Sequence, residues 1–165
     1  MNIHGHTIAI TGAGQGLGRT MAVELAKKGA RIAIIDLNAE AMQETQRLIS
    51  ALGGESRQYE CNVANEDSVV STFNAINADF GGIHGLINNA GVLRDGLFVK
   101  SKNDEIITMS LSHWQTVIDV NLTGVFLCGR EAASHMLRNK EPGCLINISS
   151  ISRAGNVGQT NYSAA

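Results

Sequence analysis

The stretch TIAITGAGQGLGR, residues 7–19, decides the fold, because a short apolar run passes directly into a turn that contains four glycines. Glycines let a backbone turn tightly and approach a ligand closely. A helix that starts after such a turn points free amide groups and a positive dipole end at that ligand. Asp36 ends the next apolar run. A strand, a glycine-rich turn, a helix and an acidic strand end in this order predict a site for a dinucleotide.

Asp36 also predicts which dinucleotide the site prefers. A carboxylate in this position can accept hydrogen bonds from both ribose hydroxyls of adenosine, and it would repel a 2′-phosphate. Neither Gln15 nor Leu37 is the arginine or lysine that would receive such a phosphate. We therefore expect NAD in preference to NADP. On these features alone two alternatives stay open: a different adenosine ligand, S-adenosylmethionine, or a turn that is only structural.

Short apolar runs alternate along the chain with segments of helical periodicity, and glycines separate them; there are 18 glycines and one proline. This alternation is typical of βα units around a parallel sheet. Because the strands of such a sheet are buried on both faces, we expect them to be apolar without alternation. Five strands are predicted, at 7–11, 31–36, 56–60, 83–88 and 144–149.

Helices are predicted between these strands, at about 16–28, 39–52, 66–79 and 113–139, with the start of a fifth near Tyr162. The first helix would place Leu17, Met21 and Leu25 on its buried face. Gly29 stands where a left-handed residue would end it.

Polar side chains predict where two of the helices begin. Asn38 precedes the second helix and is a favourable N-cap residue. Ser112 and Gln115 have the spacing of a capping box at the start of the fourth. We expect that fourth helix to run without interruption to Asn139.

Composition and charge exclude several classes of function. With 13 basic and 15 acidic residues the net charge is -2, so nothing predicts a nucleic-acid partner. No apolar run approaches the roughly 20 residues that span a bilayer, and the N-terminus lacks the charged and apolar parts of a signal peptide. The length of 165 residues fits one domain, 1–165. We expect a cytoplasmic protein with no membrane partner.

Cysteines and histidines give no pattern of metal ligands. Cys61, Cys128 and Cys144 are widely spaced and odd in number, which favours reduced thiols in the core over disulfides or a zinc site. His4 and His6 have no third ligand beside them. We predict no bound metal.

Motifs at separated places resemble those of the short-chain dehydrogenase/reductase family. The turn at 11–18 has the spacing T-G-x-x-x-G-x-G, and residues 88–91 read N-N-A-G. Ser149 and Tyr162 stand thirteen residues apart, like the family's catalytic serine and tyrosine, and Asn121 matches its catalytic asparagine. The resemblance covers essentially the whole chain.

The resemblance implies a Rossmann-like, doubly wound parallel sheet of order 3-2-1-4-5. It also implies hydride transfer between a nicotinamide and a carbonyl or secondary alcohol. Tyr162 would donate or accept the hydroxyl proton, Ser149 would hold the substrate oxygen, and Asn121 would position a water. The residues implied to contact NAD follow the carboxyl edge of the sheet: Thr11, Gly12, Gln15, Gly16, Leu17, Gly18, Asp36, Asn62, Val63, Asn89, Ala90, Gly91 and Tyr162.

One position departs from the family pattern, and two stretches point to a particular branch of the family. Asn62 stands where members of the family commonly carry aspartate, although an asparagine carbonyl can also accept a hydrogen bond from the adenine amino group. The stretches RDGLF and GQTNYSAA resemble the 3-oxoacyl-carrier-protein reductase branch. The substrate could therefore be a 3-oxoacyl thioester, and a secondary alcohol oxidised with NAD is as plausible.

Asn121 can also be interpreted without the family. Trp114, Val117 and Leu122 recur with it at helical spacing, so its amide would lie in an apolar stripe and needs hydrogen-bond partners there. Such an asparagine either bridges two backbone segments or takes part in catalysis. Because Ser149 and Tyr162 accompany it, we favour catalysis.

The chain ends Tyr162-Ser163-Ala164-Ala165, one position before the lysine of the family pattern Tyr-x-x-x-Lys. That ammonium would hold the nicotinamide ribose. The family continues with further elements, and the strand at 144–149 would lie uncovered at the sheet edge. We therefore expect an inactive fragment of a parent enzyme that forms homodimers or homotetramers through the fourth helix and the next one. A non-catalytic dinucleotide-binding or regulatory protein is the alternative.

The segment 99–111, VKSKNDEIITMSL, looks longer than its counterpart in compact family members. It follows N-N-A-G and precedes the fourth helix. We predict that it lies near the substrate entrance or in an oligomer contact, on the side of the carboxyl ends of the strands.

Overall fold

The computed structural model describes residues 3–165, which form a five-stranded parallel sheet and a two-stranded antiparallel hairpin. The sheet contains β1 (Thr7–Thr11), β2 (Arg31–Asp36), β3 (Ser56–Glu60), β4 (Gly85–Asn88) and β7 (Cys144–Asn147). The hairpin pairs β5 (Val99–Lys102) with β6 (Glu105–Thr108). The sheet order is β3-β2-β1-β4-β7. This confirms the predicted doubly wound order, in which β7 is the fifth predicted strand.

Helices connect the strands and cover the sheet. They are α1 (Gly16–Lys27), α2 (Ala39–Ser50), α3 (Glu66–Phe80), α4 (Leu111–Ile118), α5 (Gly124–Asn139) and α6 (Thr160–Ala164). A π-helical turn, Asp119–Thr123, joins α4 to α5, and a short 3-10 turn, Ile151–Ala154, precedes α6. No helix within residues 3–165 has both the length and the apolar character needed to cross a bilayer.

Alternate side chains of the central strands enter two separate cores. Ile8 and Ile10 of β1 pack in one core with Met42 of α2. Ala9 packs in the other with Phe73 of α3. Because successive strand residues point to opposite faces, a central strand covered on both sides has to be apolar at every position, as predicted.

The edge strands differ from that expectation. β3 buries only Tyr59, and β7 is exposed at all four of its positions. Leu145 of β7 is 44% exposed. The prediction of strands buried on both faces is therefore wrong for β3 and β7, which are the two edge strands of the sheet among the described residues.

Helix α1 packs through small side chains instead of the predicted leucine face. Its buried residues are Gly18, Ala22 and Ala26. Leu17 is 71% exposed, and Met21 and Leu25 are only half-buried. Small residues let the helix axis lie close to the sheet, which keeps the glycine-rich turn close to the strand ends. Gly29, which ends the helix, has the predicted left-handed conformation, with φ of 81°.

The predicted continuous helix at 113–139 is two helices with a π-helical turn between them. Ser110, not Ser112, caps α4, since its Oγ accepts a hydrogen bond from His113 N at 3.2 Å. The predicted capping box is wrong, because Gln115 Nε2 instead donates to Asp119 Oδ1 at 2.6 Å. Within the π-helical turn Leu122 is 47% exposed, so it does not belong to the predicted apolar stripe.

The hairpin within 99–111 was not predicted as strand. Its turn residues Asn103 and Asp104 both have positive φ, 51° and 62°, a conformation that asparagine and aspartate tolerate in tight hairpin turns. Before the hairpin, Gly96 N donates to Gly158 O at 2.7 Å, directly ahead of α6. The hairpin therefore extends from the side of the sheet that carries Tyr162, and its role remains a prediction.

Candidate active site

The side chains of Thr11 and Asn89 join the glycine-rich turn to the end of β4 through hydrogen bonds with backbone groups. Thr11 Oγ1 accepts hydrogen bonds from the amides of Asn89 and Ala90, both at 3.0 Å. Asn89 Nδ2 donates to Thr11 O at 3.1 Å and to Gly12 O at 3.2 Å. A side chain on Gly12 would lie 2.9 Å from the Ala90 Cα, and φ there is 65°. This close approach requires glycine.

The N-terminus of α1 has no side-chain cap, whereas three other helices have one. Gln15 precedes α1 in an extended conformation and makes no capping bond. In contrast, Asn38 caps α2, as predicted, Asn65 caps α3, and Ser110 caps α4. The first amides of a helix lack partners within it. At α1 they are left for a ligand, and this is the arrangement that binds phosphate.

Asp36 lies beside this turn with its carboxylate held by backbone amides. Gly14 N donates to Oδ2 at 2.8 Å, and Asn38 N donates to Oδ1 at 3.1 Å. A carboxylate oxygen can accept more than one hydrogen bond, so both oxygens keep capacity for ribose hydroxyls. Two independent features therefore fit a bound dinucleotide: the uncapped N-terminus of α1 could hold its phosphates, and the fixed Asp36 carboxylate could hold its ribose.

A cavity of about 350 Å³ opens between the turn and the ends of β2, β3 and β4. Eight of the predicted cofactor residues line it: Gly12, Gln15, Asp36, Asn62, Val63, Asn89, Ala90 and Gly91. Thr11, at the end of β1, and residues 16–18, in the first turn of α1, do not line it, and Tyr162 lines a second cavity instead. Sequence reasoning missed Ile35, Cys61, Val92 and Val120 as lining residues. Ile35 and Cys61 could have been found as neighbours of the predicted strand ends, whereas Val120 requires knowledge of the π-helical turn.

Asn62 is exposed at the rim of this cavity, where its side chain also supports its own loop. Its Oδ1 accepts from Ala64 N at 3.0 Å, and its backbone amide donates to Ser68 Oγ at 3.1 Å. The oxygen keeps a second lone pair. The loop that carries the predicted adenine contact is thus ordered by the residue itself.

A second cavity, of about 370 Å³, brings together the three predicted catalytic residues. Asn121, Ser149 and Tyr162 all line it, although they come from the π-helical turn, the end of β7 and α6. The segment 89–91 lines both cavities. Residues 89–91 therefore form a wall that the two cavities share.

Asn121 is fixed to the loop after β4 by both atoms of its amide. Nδ2 donates to Val92 O at 3.0 Å, and Oδ1 accepts from Val92 N at 2.8 Å. It lies within the π-helical turn, a local structure that is frequent at functional sites. The Asn121 amide therefore bridges the π-helical turn and the loop after β4, and its catalytic role stays a prediction.

The serines at 149 and 150 differ in what they do. Ser150 Oγ accepts from Ser152 N at 3.2 Å and so caps the 3-10 turn. Both residues line the second cavity. A structural role for Ser150 agrees with the choice of Ser149, which the thirteen-residue spacing favours.

Tyr162 is half-buried near the start of α6. The preceding residue, Asn161, is completely buried and its Nδ2 donates to Arg94 O at 2.8 Å. Gln159 Nε2 meets the carboxylate of Asp95 at 3.2 Å. The loop after N-N-A-G thus holds the helix that carries the tyrosine.

None of the three thiols lines the second cavity, although Cys61 lines the first. Cys61 and Cys128 are buried, and burial, assisted by the neighbouring Cys61, raises the pKa of Cys128 to about 12. Cys144 is exposed in β7, so the prediction of a core thiol is wrong there. Among residues 3–165 no group of three or more histidine, cysteine, aspartate or glutamate side chains is placed to hold a metal.

A parallel sheet with an uncapped helix after a glycine-rich turn and a fixed acidic strand end defines the Rossmann-like class of folds. The family model described as short chain dehydrogenase matches residues 6–165. The chain therefore belongs to the short-chain dehydrogenase/reductase family, as its motifs predicted.

Curated relatives place the chain near one branch of that family. It is 39% identical over 160 residues to the 3-oxoacyl-acyl-carrier-protein reductase FabG of Staphylococcus aureus. It is 40% identical over 158 residues to the 3-oxoacyl-acyl-carrier-protein reductase of a Synechocystis species. Each match covers 94% of this chain and 60% of the relative. The chain thus spans about 60% of the length of these relatives.

A solved structure extends the likeness to the backbone. NAD+-bound xylitol dehydrogenase matches with a TM-score of 0.87 and 28% sequence identity, over 99% of this chain and 60% of that one. A short-chain type dehydrogenase/reductase from Mycobacterium marinum matches with a TM-score of 0.86 at the same identity, over 99% of this chain and 64% of that one. The described chain therefore shares its fold with about 60% of the length of each of these two structures.

Proposed function

We propose that the protein is an NAD-dependent oxidoreductase that interconverts a carbonyl compound and a secondary alcohol. The observation that carries the proposal is the shared wall at 89–91, which lines both the cavity beside Asp36 and the cavity that contains Ser149 and Tyr162. A dinucleotide with its adenosine in the first cavity would bring its nicotinamide to the second. Family membership supports the same reaction class.

The preference for NAD rests on Asp36. Its carboxylate is fixed by two backbone amides and would repel a 2′-phosphate. Gln15 and Leu37 both line the cavity and offer no positive charge. The residues proposed to hold the cofactor are those predicted from the sequence, with Thr11 contributing from the end of β1 and residues 16–18 from the first turn of α1.

Bound NAD or NADH would supply the hydride chemistry, and the protein would supply orientation and the proton. Tyr162 would give its hydroxyl proton to the carbonyl oxygen during reduction and take it back during oxidation. Ser149 would hold that oxygen by a hydrogen bond. Asn121, already bound to Val92, would use its second Oδ1 lone pair to hold a water on the proton path.

For the substrate we propose a 3-oxoacyl thioester, since two relatives are named for that activity. A secondary alcohol is the alternative, supported by the likeness to xylitol dehydrogenase. We further propose a cytoplasmic homo-oligomer with contacts through the helix at 124–139, and no nucleic-acid or membrane partner.

The test is carbonyl reduction by the complete gene product, with NADH and NADPH compared over a panel that includes 3-oxoacyl thioesters and simple ketones. We expect turnover with at least one carbonyl class and a higher kcat/KM with NADH. Tight binding of NADH without turnover on any substrate would instead support a non-catalytic dinucleotide-binding protein.

A further inference from the structure

Arg19 joins the glycine-rich turn to helix α2. Its Nε donates to Thr45 Oγ1 at 3.0 Å, and its Nη2 donates to Ala41 O at 3.1 Å and also to Gly14 O. A planar guanidinium that meets acceptors in several directions holds them in a fixed arrangement. Arg19 lines neither of the two cavities, so it acts from behind the site.

Thr45 is completely buried between α2 and the turn. Its Oγ1 lies 2.9 Å from Ala13 O and 3.3 Å from the carbonyl oxygens of Gly14 and Ala41. A hydroxyl has one proton to donate and two lone pairs. Since Arg19 donates to this oxygen, the hydroxyl proton is directed to its nearest acceptor, Ala13 O.

The bond from Thr45 sets the orientation of the peptide group between Ala13 and Gly14. In a trans peptide the carbonyl and the N–H point in opposite directions, and all the described peptides are trans. At the opposite end of this group, Gly14 N donates to Asp36 Oδ2 at 2.8 Å. The peptide group therefore links the hydroxyl of Thr45 to the carboxylate of Asp36.

The packing around this peptide leaves Asp36 little freedom. A Cβ on Gly14 would lie 2.8 Å from Asp36 Oδ2 and 3.0 Å from the Ala41 Cβ. The second carboxylate oxygen is held by Asn38 N at 3.1 Å, at the start of α2. A shift of the Gly14 amide would therefore be transmitted to the carboxylate.

We propose that Arg19 and Thr45 are positioning residues that set the discrimination between NAD and NADP. They do so by holding the Ala13–Gly14 peptide so that its amide fixes Asp36 towards the ribose hydroxyls. The proposal rests on the proposed function, because it assumes that Asp36 meets that ribose. A role confined to stability would change both cofactors' affinities together, whereas a positioning role changes their ratio.

The test is a titration of wild-type protein and Thr45→Val with NADH and NADPH, read by nicotinamide fluorescence. Valine keeps the size of threonine and removes the hydroxyl. We expect the Kd for NADH to rise about tenfold, as for one lost hydrogen bond. The Kd for NADPH should rise by less than about threefold, so that the preference for NADH falls. Arg19→Lys should act in the same direction, since an ammonium lacks the planar fork.

Two variants serve as controls. Thr45→Ser keeps the hydroxyl and should restore the wild-type ratio of the two Kd values. Thr72→Val makes the same chemical change at a buried threonine in α3 and should leave the ratio unchanged. If Thr45→Val shows no cooperative thermal transition, and so does not fold, the ratio of the two Kd values in Arg19→Lys tests the proposal instead.

The outcomes distinguish a failure of this inference from a failure of the proposed function on which it rests. A wild-type protein that binds neither dinucleotide overturns the proposed function and this inference with it. A wild-type protein that prefers NADH, with variants that retain the same ratio, overturns the positioning role alone.

Discussion

The two sides of the carboxyl edge of the sheet are built differently. On the nucleotide side, the ends of β1 and β4 are buried, and hydrogen bonds such as that from the Ala90 amide to Thr11 Oγ1 join them. On the catalytic side, Ser149 follows an exposed strand, Asn121 lies in a π-helical turn, and Tyr162 lies on a helix of five residues. The nucleotide side is thus organised within a contiguous stretch of sequence, and the catalytic side depends on loops that meet only in the fold.

The catalytic side is tested most strongly by Tyr162→Phe in the complete gene product. Loss of a general acid lowers kcat by about 10²–10⁴-fold, while the Kd for NADH should change by less than about threefold. Steady-state kinetics and fluorescence titration measure the two quantities. Tyr59→Phe is the matched control, because its hydroxyl bonds Asp79 at 2.8 Å on another part of the molecule. An equal loss of activity in Tyr162→Phe and Tyr59→Phe would contradict the role of Tyr162 as the general acid.

The nucleotide side is tested by Gly18→Ala. A Cβ at Gly18 would lie 2.7 Å from Asn89 Nδ2 and 2.8 Å from the Gly12 carbonyl carbon. Relieving the second contact would require the backbone at Gly12 to move, which costs free energy. We expect a loss of about 3 kcal/mol in the free energy of unfolding and no measurable NADH binding. Thermal or urea denaturation gives the first quantity.

Gly129→Ala is the control for that change, since a Cβ there meets nothing within 4 Å and the residue lies in α5. Helix propensity predicts a gain of about 0.5–1 kcal/mol. A Gly18→Ala protein as stable as Gly129→Ala would show that the close approach of the turn to N-N-A-G is not required.

Asn121→Ala tests the connection between the π-helical turn and the loop after β4. The variant loses both bonds to Val92 and leaves that residue's amide and carbonyl without these partners. We expect a loss of about 1–2 kcal/mol, because the site is only half-buried. Hydrogen exchange should speed up at the Val92 amide but not at that of Ala90. Unchanged exchange at Val92 would contradict the proposed connection.

The smallest expected effect lies at the opposite, amino end of the sheet. His84 Nδ1 accepts from Thr7 N at 3.1 Å, which requires a neutral ring. Burial, followed by the nearby His6, lowers the pKa of His84. A depressed histidine pKa means that the unfolded state binds more protons, so stability falls as the pH drops through the range below the ordinary histidine pKa of about 6.5.

His84→Asn keeps an acceptor for the Thr7 amide and removes the titration. Denaturation between pH 7 and pH 5 should show a shallower loss of stability in the variant, by less than about 1.4 kcal/mol per pH unit, the limit for one proton. Identical slopes in the two proteins would exclude His84 as a source of the acid sensitivity.

The nucleotide side could be predicted largely from the sequence because its signals are local. The glycines at 12–18 follow one apolar run and the acidic residue at 36 ends the next. Each run predicts a strand, and so predicts that these residues lie at a strand end. The sheet order and the left-handed Gly29 are likewise confirmed. The exposure of Leu17 was not foreseen, since helical periodicity does not show that α1 packs through glycine and alanine.

The catalytic side was less predictable because its geometry depends on tertiary contacts. The π-helical turn at Asn121 has no marker in local propensity, and Ser110 and Ser112 are both acceptable N-cap residues. The hairpin turn at Asn103 and Asp104 carries a recognisable pair of turn residues. That signal was available in the sequence and its strands were still missed, because the flanking residues are largely polar and do not alternate.

The claim that the stretch from Thr7 to Gly91 forms an NAD-selective nucleotide site is tested most directly by calorimetric titration of the 165-residue chain with NADH and NADPH. The account predicts saturable binding of NADH, at least about tenfold tighter than that of NADPH. It also predicts that Asp36→Ser combined with Leu37→Arg reverses the preference. Binding of neither dinucleotide, or equal or tighter binding of NADPH by the wild-type chain, would contradict it.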